Sequence, residues 1–504
     1  MENKKTENSY SHILKYTSIF GGVQGLNILI SIVRNKLAAL LIGPVGFGLV
    51  SLFTSTVKFV SDASNLGLSF SAVKSISEVY NDDDDSKLKL YISNVRILSF
   101  ITAIIGTLLC IALSPFLSKW TFGWGNHTLH FILLSPIVFM TAICGGEMAI
   151  LKGTRCLQGI ARITIITVLS SLIISAPIYY FFGQSGIVPV LLLIAFVILV
   201  TTLTFSYSRY PLHVSFQSMN LLKSFRECSS MLRMGIAFLF AGILGSGAEL
   251  IIRSYLNNEA SLEIVGFYNS GYVLIMTYAS MVFTSMDTDY FPRLSAVKDD
   301  TGIMNVIVNR QIEICLFILS PLLIAFIMII PILLPLLYSK GFMPVVSMVQ
   351  VATFSMFFRS ITYPLSYITL AKGNTRAFMI LESFYNVFLV VSIVIAFNSF
   401  QLLGVGIAIS LTSIFDFIIV LSYCFLKYDY RMSHNIMSFI TLNLPLLFTA
   451  YFMTLVDSLF IRIIIQVIVV ITSSVISIFY LQHTAHLWQS IISKWKYKFK
   501  RNID

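Results

Sequence analysis

The stretch "IGPVGFGLV", residues Ile42–Val50, recurs later in the chain as "LEIVGFYNS", residues Leu262–Ser270. Two further stretches recur in the same way: "LKGTRCLQG" (151–159) as "LAKGNTRAF" (370–378), and "FGQSGIVPV" (182–190) as "LLGVGIAIS" (402–410). The separation is about 220 residues each time, and a persistent offset is the signature of an internal repeat. The sequence therefore predicts two similar halves, with three pairs of matched glycines: Gly46 with Gly266, Gly153 with Gly373, and Gly186 with Gly406.

Apolar runs fill both halves and continue beyond them. The chain of 504 residues is 57% hydrophobic and 11% charged, whereas about a quarter of the residues of an ordinary soluble domain are charged. Apolar runs of about 20 residues, separated by polar or Gly/Pro breaks, number about fourteen. We therefore predict an all-α integral membrane protein with about fourteen transmembrane helices.

The number of helices in each repeat sets the symmetry. Six is even, so both copies begin on the same face of the membrane and are related by an axis along the membrane normal. Two facing bundles of this kind are typical of alternating access around a site at the membrane midplane. A duplicated scaffold without a substrate is the alternative, but a scaffold has little reason to retain charges in lipid. The predicted domains are an N-terminal six-helix bundle (1–210), a cytoplasmic linker (211–230), a C-terminal six-helix bundle (231–428), two additional transmembrane helices (429–482) and a basic amphipathic cytoplasmic tail (483–504).

The basic residues indicate the topology. The amino-terminal segment has no small-residue cleavage site, so we expect the first helix to be retained and the amino terminus to stay cytoplasmic. With that orientation most of the 34 Lys and Arg residues fall in cytoplasmic segments, which accounts for much of the net charge of +11. The tail stretch "KWKYKFK" (494–500) interleaves aromatic residues with lysines, which suits an anionic inner leaflet better than a nucleic acid.

Cations inside the apolar runs are the strongest functional signal. A Lys or Arg at a helix centre costs about 2.5 to 3.5 kcal/mol, so it must face the protein interior, water or a partner. Arg34 and Lys36 are two residues apart and diverge around the helix, and Lys36 is expected to reach toward the outer interface. Pro364 is expected to break or bend the helix that carries Arg359 and to free backbone groups toward a cavity. The predicted cationic lining consists of Arg34, Lys36, Lys58, Arg253 and Arg359.

Carboxylates in the apolar runs are candidates for ion coupling. Asp416 in "TSIFDFIIV" has no basic neighbour within a turn, and it is either a protonatable coupling site or a group paired with another helix. Lys58 with Asp62, and Glu249 with Arg253, stand four residues apart and can also form plain ion pairs. The candidates for ion coupling are Asp416, Glu147, Asp62 and Glu249.

Motifs for chemistry are missing from the sequence. The histidines lie at termini or near loops, and no HExxH, P-loop or GxSxG pattern is present. The run Asp82–Asp85 does not suit a metal, because four consecutive carboxylates point in different directions on a helix. The six cysteines have no metal-type spacing. We expect no catalytic residues, no metal and no cofactor, and a cationic cavity then indicates an anionic ligand that is moved rather than changed.

Three stretches carry a resemblance to a known family. They are "KLAALLIGPVGFGLVSLF" (36–53), "LKGTRCLQG" (151–159) and "YFPRLS" (290–295). Together with the repeat of six helices, they resemble the polysaccharide transporter and O-antigen flippase branch of the multidrug/oligosaccharidyl-lipid/polysaccharide (MOP) exporter superfamily. The resemblance covers nearly the whole chain.

The resemblance implies a function. A member of this branch is expected to flip an undecaprenyl-pyrophosphate-linked oligosaccharide from the cytoplasmic to the outer leaflet of a bacterial inner membrane. It implies that Arg34, Lys58 and Arg253 contribute to a cationic cavity for the pyrophosphate and sugars; Arg359 is added from this sequence alone. Expected partners are the lipid-linked substrate, membrane lipids and a glycan polymerase with assembly proteins, with the protein acting as a monomer.

Two other functions remain open. A small-molecule exporter of the drug and toxin type would share the fold, but it would favour an anionic cavity for cationic drugs. A membrane-embedded glycan polymerase or ligase would be expected to carry a sizeable outer loop with catalytic residues, and no such loop is present in the sequence.

Overall fold

The computed structural model describes residues 25–65, 67–81, 85–211 and 229–484, and the predicted all-α fold is confirmed for these residues. Most of the predicted linker 211–230 and the tail beyond 484 lie outside the described residues, as does Asp82–Asp84. The helices are α1 (25–41), α2 (Gly43–Ser64), α3 (Leu68–Asn81), α4 (Asp85–Phe122), α5 (Thr128–Gly153), α6 (Leu157–Phe182), α7 (Ile187–Arg209), α8 (Ser229–Glu259), α9 (Leu262–Ala296), α10 (Thr301–Leu337), α11 (Val345–Ala371), α12 (Thr375–Tyr428), α13 (His434–Phe452) and α14 (Leu459–Thr484).

Nine helical stretches in the described part of the chain are long and apolar enough to cross a membrane. Two of them, Leu157–Arg209 and Thr375–Tyr428, contain 53 and 54 residues. Because one crossing takes about 20 residues, each of these two is long enough for two crossings. The chain is therefore a multi-pass membrane protein.

A glycine and a proline mark two places along these helices. α2 ends at Ser64 and α3 begins at Leu68, and Gly67 between them has a φ of 65°. α11 runs through Pro364 as one helix, so the proline does not break it. The carbonyl of Pro364 accepts a hydrogen bond of 2.9 Å from the Tyr290 hydroxyl, so this backbone group has a partner inside the protein.

The helices form two compact units. Unit 1 comprises Met1–Phe267 with Leu336–Gly341, and unit 2 comprises Tyr268–Pro335 with Phe342–Asp504. Inside unit 1, the apolar face of α3 packs on α4 and α5 through Leu68, Ile76, Ile92 and Ile150. Inside unit 2, Phe317 of α10 packs on Phe439 of α13 and Tyr480 of α14, which attaches the two additional helices.

Close backbone packing joins the two copies of the quoted repeat within unit 1. A Cβ atom placed on Gly48 would collide with the Leu262 carbonyl, and one placed on Gly266 would collide with the Pro44 carbonyl. Only glycine allows the first turns of α2 and α9 to approach this closely. The glycine pattern that revealed the repeat thus has a steric cause at this crossing.

The repeat is also visible in the backbone of two turns. Arg155 and Gly373 have φ values of 55° and 71°, and Gly183 and Gln401 have φ values of 54° and 52°. Both pairs are 218 residues apart (373 minus 155, and 401 minus 183). The hydrogen bonds match at the same offset: Thr154 N to Ile150 O with Lys372 N to Ile368 O, Arg155 N to Lys152 O with Gly373 N to Leu370 O, and Cys156 N to Leu151 O with Asn374 N to Thr369 O.

The offset of 218 residues corrects all three glycine pairings, and it matches Gly266 with Gly48 rather than with Gly46. Gly373 corresponds to Arg155 rather than to Gly153, since both adopt positive φ at the end of the turn. Gly186 corresponds to Gly404 rather than to Gly406, since Cβ atoms there would meet the matching residues Ile178 and Ala396. The internal repeat itself is confirmed.

Gln401 provides a test of the backbone match. It has φ 52° and ψ −135°, a combination that glycine adopts far more readily than glutamine. We expect Gln401→Gly to stabilise the protein by about 1 kcal/mol and Gly183→Ala, in the matching turn, to destabilise it by a similar amount. The measurement is the melting temperature of the detergent-solubilised protein. A lower melting temperature for Gln401→Gly would contradict the assignment.

Candidate functional site

A polar stripe runs along α2 and faces a second stripe on α8, both within unit 1. On α2, Ser51, Lys58 and Asp62 follow each other at helical spacing and lie on one face. On α8, Glu249 and Arg253 are four residues apart and share a face. The two stripes form one network, which we call the α2–α8 cluster: Ser51, Lys58, Asp62, Ser246, Glu249 and Arg253.

Glu249 is the centre of the α2–α8 cluster. Its Oε1 lies 3.2 Å from Lys58 Nζ, and its Oε2 lies 3.3 Å from Arg253 Nη1. The ion pair between Glu249 and Arg253 that the spacing allowed is therefore present. Lys58 forms its ion pair with Glu249 rather than with Asp62, and Asp62 interacts electrostatically with both Lys58 and Glu249. The spacing of residues along α2 could not predict that Lys58 has its partner on α8.

The two cations of the cluster differ in accessibility. The side chain of Lys58 is 53% exposed, that of Glu249 28%, and that of Arg253 7%. Arg253 is held from two other sides: its Nε donates to Ser51 Oγ at 2.7 Å, and its Nη1 donates to the Glu249 carbonyl at 3.1 Å. The cluster thus contains an accessible ammonium group, that of Lys58, and a buried guanidinium held by several hydrogen bonds, that of Arg253.

Arg34 lies on α1 in the same unit and is half-buried. Its Nη1 donates to Ser171 Oγ at 3.4 Å, and it interacts electrostatically with Tyr179 and Tyr338. These partners are neutral hydroxyls, so the positive charge of Arg34 is solvated rather than neutralised by them. Lys36, two residues further along α1, is half-buried as well.

Arg359 belongs to a separate cluster in unit 2. Its Nη1 donates to the Tyr385 hydroxyl at 3.3 Å, and its guanidinium lies 5.1 Å from the centre of the Tyr385 ring. Glu382 and Asp416 both interact with Arg359 electrostatically. Arg359 therefore lies near two carboxylates of unit 2.

Glu147 occupies a third, buried network in unit 1. Arg96 donates to its two oxygens from Nε at 2.8 Å and from Nη2 at 3.2 Å, and Ser206 donates to it at 2.5 Å. Only 3% of the Glu147 side chain and 11% of that of Arg96 are exposed. Arg96 was missing from the predicted site, although in "SNVRILSF" it directly precedes a long apolar stretch.

Unit 2 builds the matching helix contact without charges. At the offset of the two turns, Glu147 corresponds to Leu365 and Ser206 to Cys424, and the Cys424 thiol donates to the Leu365 carbonyl at 3.7 Å. Arg96 corresponds to Ile314 at the same offset. The repeated fold therefore forms with uncharged residues at these positions of unit 2.

A cavity of about 630 Å³ lies in unit 1 between α2, α5 and α7. None of the predicted site residues lines it; its walls are mostly apolar and include Phe53, His130 and Leu192. His127, in the loop before α5, stacks on Phe122 with ring centroids 4.0 Å apart. Burial, and then the neighbouring His130, lower the pKa of His127, so this region does not extend the cationic surface at neutral pH.

Within residues 25–65, 67–81, 85–211 and 229–484, no group of three or more His, Cys, Asp or Glu side chains is placed to hold a metal ion. The donors that the clusters offer are ammonium, guanidinium and hydroxyl groups. Such groups bind anions through charge-assisted hydrogen bonds.

Known proteins share the sequence and the fold. Residues 37–347 match the family described as "Polysaccharide biosynthesis protein". Among curated protein sequences, no significant match to this chain is found.

Solved structures with the same fold include transporters of the MOP superfamily. An inward-facing multidrug resistance transporter of the MATE family superimposes with a TM-score of 0.68 at 16% identity, over 80% of this chain and 94% of that one. The lipid II flippase MurJ, in an inward closed conformation, gives 0.64 at 16% identity, over 92% and 99%. A MOP transporter from Pyrococcus furiosus, described by the reverse polarity of its binding pocket, gives 0.52 at 17% identity, over 82% and 93%. At these identities the likeness shows the fold.

The buried pair Arg96–Glu147 can be tested by a double-mutant cycle. We expect Arg96→Leu and Glu147→Leu to destabilise the protein by about 3 to 5 kcal/mol each, because each leaves a buried charge unpaired. The double variant should be closer to the wild type than either single variant, as the apolar counterpart in unit 2 indicates. The measurement is thermal unfolding in detergent, and additive losses would contradict the interpretation.

Proposed function

Because the chain belongs to the family of polysaccharide biosynthesis proteins and has the fold of MOP transporters, we propose that it is a flippase for a lipid-linked oligosaccharide. The observation that carries the proposal is the set of cations in apolar helices of unit 1. Arg34, Lys58 and Arg253 lie on α1, α2 and α8, and all three have hydrogen-bond donors that suit phosphate oxygens.

The proposed substrate is an undecaprenyl-pyrophosphate-linked oligosaccharide, such as an O-antigen repeat unit. Its isoprenoid tail stays in the lipid, its pyrophosphate binds the cations, and its sugars pass with the pyrophosphate. Arg34 contributes a positive charge that its hydroxyl partners leave uncompensated, and Lys58 contributes an exposed ammonium. We assign Arg359 and Lys36 to the same pathway.

The proposed reaction is transport by alternating access, without bond making or breaking. The headgroup moves from the cytoplasmic to the outer leaflet of a bacterial inner membrane, with both chain termini cytoplasmic. A pyrophosphate diester carries about two negative charges, and each one that moves outward across a potential negative inside releases about 2.3 kcal/mol per 100 mV. The membrane potential therefore suffices as a driving force. A glycan polymerase and assembly proteins would receive the product, and the flippase acts as a monomer.

Purified protein in liposomes provides the direct test. We expect a fluorescent undecaprenyl-pyrophosphate-linked oligosaccharide to become accessible to a membrane-impermeant quencher on the far side, faster with an imposed potential. Exposure of the headgroup only at the rate of protein-free liposomes would contradict the proposal. Efflux of a cationic dye from the same liposomes, without headgroup exposure, would favour a drug exporter.

Variants of Arg34 and Lys58 test whether transport depends on the proposed binding site. Arg34→Ala and Lys58→Ala should abolish headgroup exposure and surface glycan export while protein abundance in the membrane stays unchanged. Lys74→Ala is the matched control, because Lys74 is similarly exposed at 56% and pairs with Glu78 on its own helix. Normal export by both site variants would show that the cationic residues do not bind the substrate.

Ion coupling is proposed for the cluster of unit 2. Asp416 and Glu382 both interact electrostatically with Arg359, so a proton that binds one of these carboxylates changes the charge of the cluster. We expect Asp416→Asn to abolish any acceleration of transport by an imposed proton gradient while acceleration by the potential remains. Asp457→Asn, at an exposed loop residue, should leave both responses unchanged. An unaltered response of Asp416→Asn to the proton gradient would show that the coupling site lies elsewhere.

A further inference from the structure

Glu249 holds the position in the α2–α8 cluster that an anionic ligand would take. Its two oxygens contact two different cations, Lys58 and Arg253, at 3.2 Å and 3.3 Å. A phosphate group bridging the same two cations would use the same N–H donors. The carboxylate and a phosphate therefore compete for one set of hydrogen bonds.

The geometry of Glu249 differs from that of a permanent buried pair. Arg96 makes two contacts with Glu147, at 2.8 Å and 3.2 Å, in a site where both side chains are largely buried. Glu249 has no comparable short contact with either of its two cations, and 28% of its side chain is exposed. The carboxylate can therefore leave its partners without being buried unpaired.

Arg253 does not depend on the Glu249 carboxylate for its position. Its Nε donates to Ser51 Oγ at 2.7 Å, and its Nη1 also donates to the backbone carbonyl of Glu249 at 3.1 Å. Both contacts persist when the Glu249 side chain turns away. The guanidinium thus stays aligned for an incoming anion after the carboxylate is displaced.

The charges of the cluster fit such an exchange. Lys58 and Arg253 bring two positive charges and Glu249 one negative charge, and Asp62 is a second carboxyl group beside them. When the side chain of Glu249 turns toward water, a net positive charge faces the site. A pyrophosphate group brings about two negative charges and several acceptor oxygens, so it replaces one carboxylate with more bonds than the carboxylate made.

We infer that Glu249 is an internal counter-anion that occupies the phosphate-binding cations between transport cycles and is displaced by the diphosphate of the substrate. The inference rests on the proposed function and adds a role in release to it. By returning to Lys58 and Arg253, the carboxylate competes with the bound phosphate and speeds its departure. The cations then bind the substrate without trapping it.

Glu249→Gln separates binding from release. With geranylgeranyl diphosphate in detergent as the probe, we expect this variant to bind about three to ten times more tightly than the wild type, since the competing charge is gone. In liposomes at saturating lipid-linked oligosaccharide, its transport rate should fall by a similar factor. A merely structural role would not tighten binding while slowing transport.

Two further variants serve as controls for the effect of Glu249→Gln. Glu78→Gln removes an exposed carboxylate that pairs with Lys74 outside the cluster, and its affinity and rate should match the wild type. Glu249→Asp keeps the charge but is too short to contact both cations, so we expect an affinity between those of the wild type and Glu249→Gln. It provides the same comparison if the glutamine variant folds poorly.

The outcomes distinguish the two proposals. If the wild type does not bind the diphosphate lipid and exposes no headgroup, the proposed function is wrong, and the role of Glu249 falls with it. If the wild type binds and transports, but neither variant at position 249 binds more tightly, the counter-anion role is wrong and the flippase stands. Tighter binding with slower transport supports both.

Discussion

The desolvation of charge within apolar helices is the constraint on which the polar structure of this protein depends. A charge in such a helix must have a partner, a polar solvent or a function, because the hydrocarbon chains of the lipid cannot solvate it. Each cluster meets the demand differently. Arg96 and Glu147 neutralise each other deep in unit 1. Arg359 interacts electrostatically with two carboxylates in unit 2, and Arg34 interacts with the hydroxyl groups of Ser171, Tyr179 and Tyr338. The degree of neutralisation separates charges that stabilise the protein from charges that are available to a ligand.

The fold was predictable because its signals are local and repeated. Apolar runs of about 20 residues predict membrane helices one at a time, and the glycines of "IGPVGFGLV" and "LEIVGFYNS" predict a duplication before any packing is known. The separation between the two copies was predicted less exactly, because glycines that match in the sequence need not be equivalent in the structure. Gly373 corresponds to Arg155, and Gln401 to Gly183, so at both turns one copy uses a residue that no search for glycine would find.

The candidate site was predictable only as a list of residues. A charge in an apolar run shows that a residue needs a partner, but the partner lies on another helix, and no spacing along the chain specifies it. Lys58 shows this limit of prediction from spacing. Asp62 stands at the ideal spacing on the same helix, but Lys58 forms its ion pair with Glu249, 191 residues away. Arg96 was missed for a related reason, since the beginning of a span resembles a solvated helix end. Ser51 had a visible signal, the polar stripe along α2.

The matching turns after α5 and α11 show what a duplicated membrane protein can change. Their conformation is set by backbone hydrogen bonds, which are the same in both copies although the side chains differ: Thr, Arg and Cys in one and Lys, Gly and Asn in the other. A turn fixed in this way places few demands on side-chain identity. After a duplication, the two halves can therefore acquire different charges at these positions while their shape is inherited, so asymmetry of function can evolve on a symmetric frame.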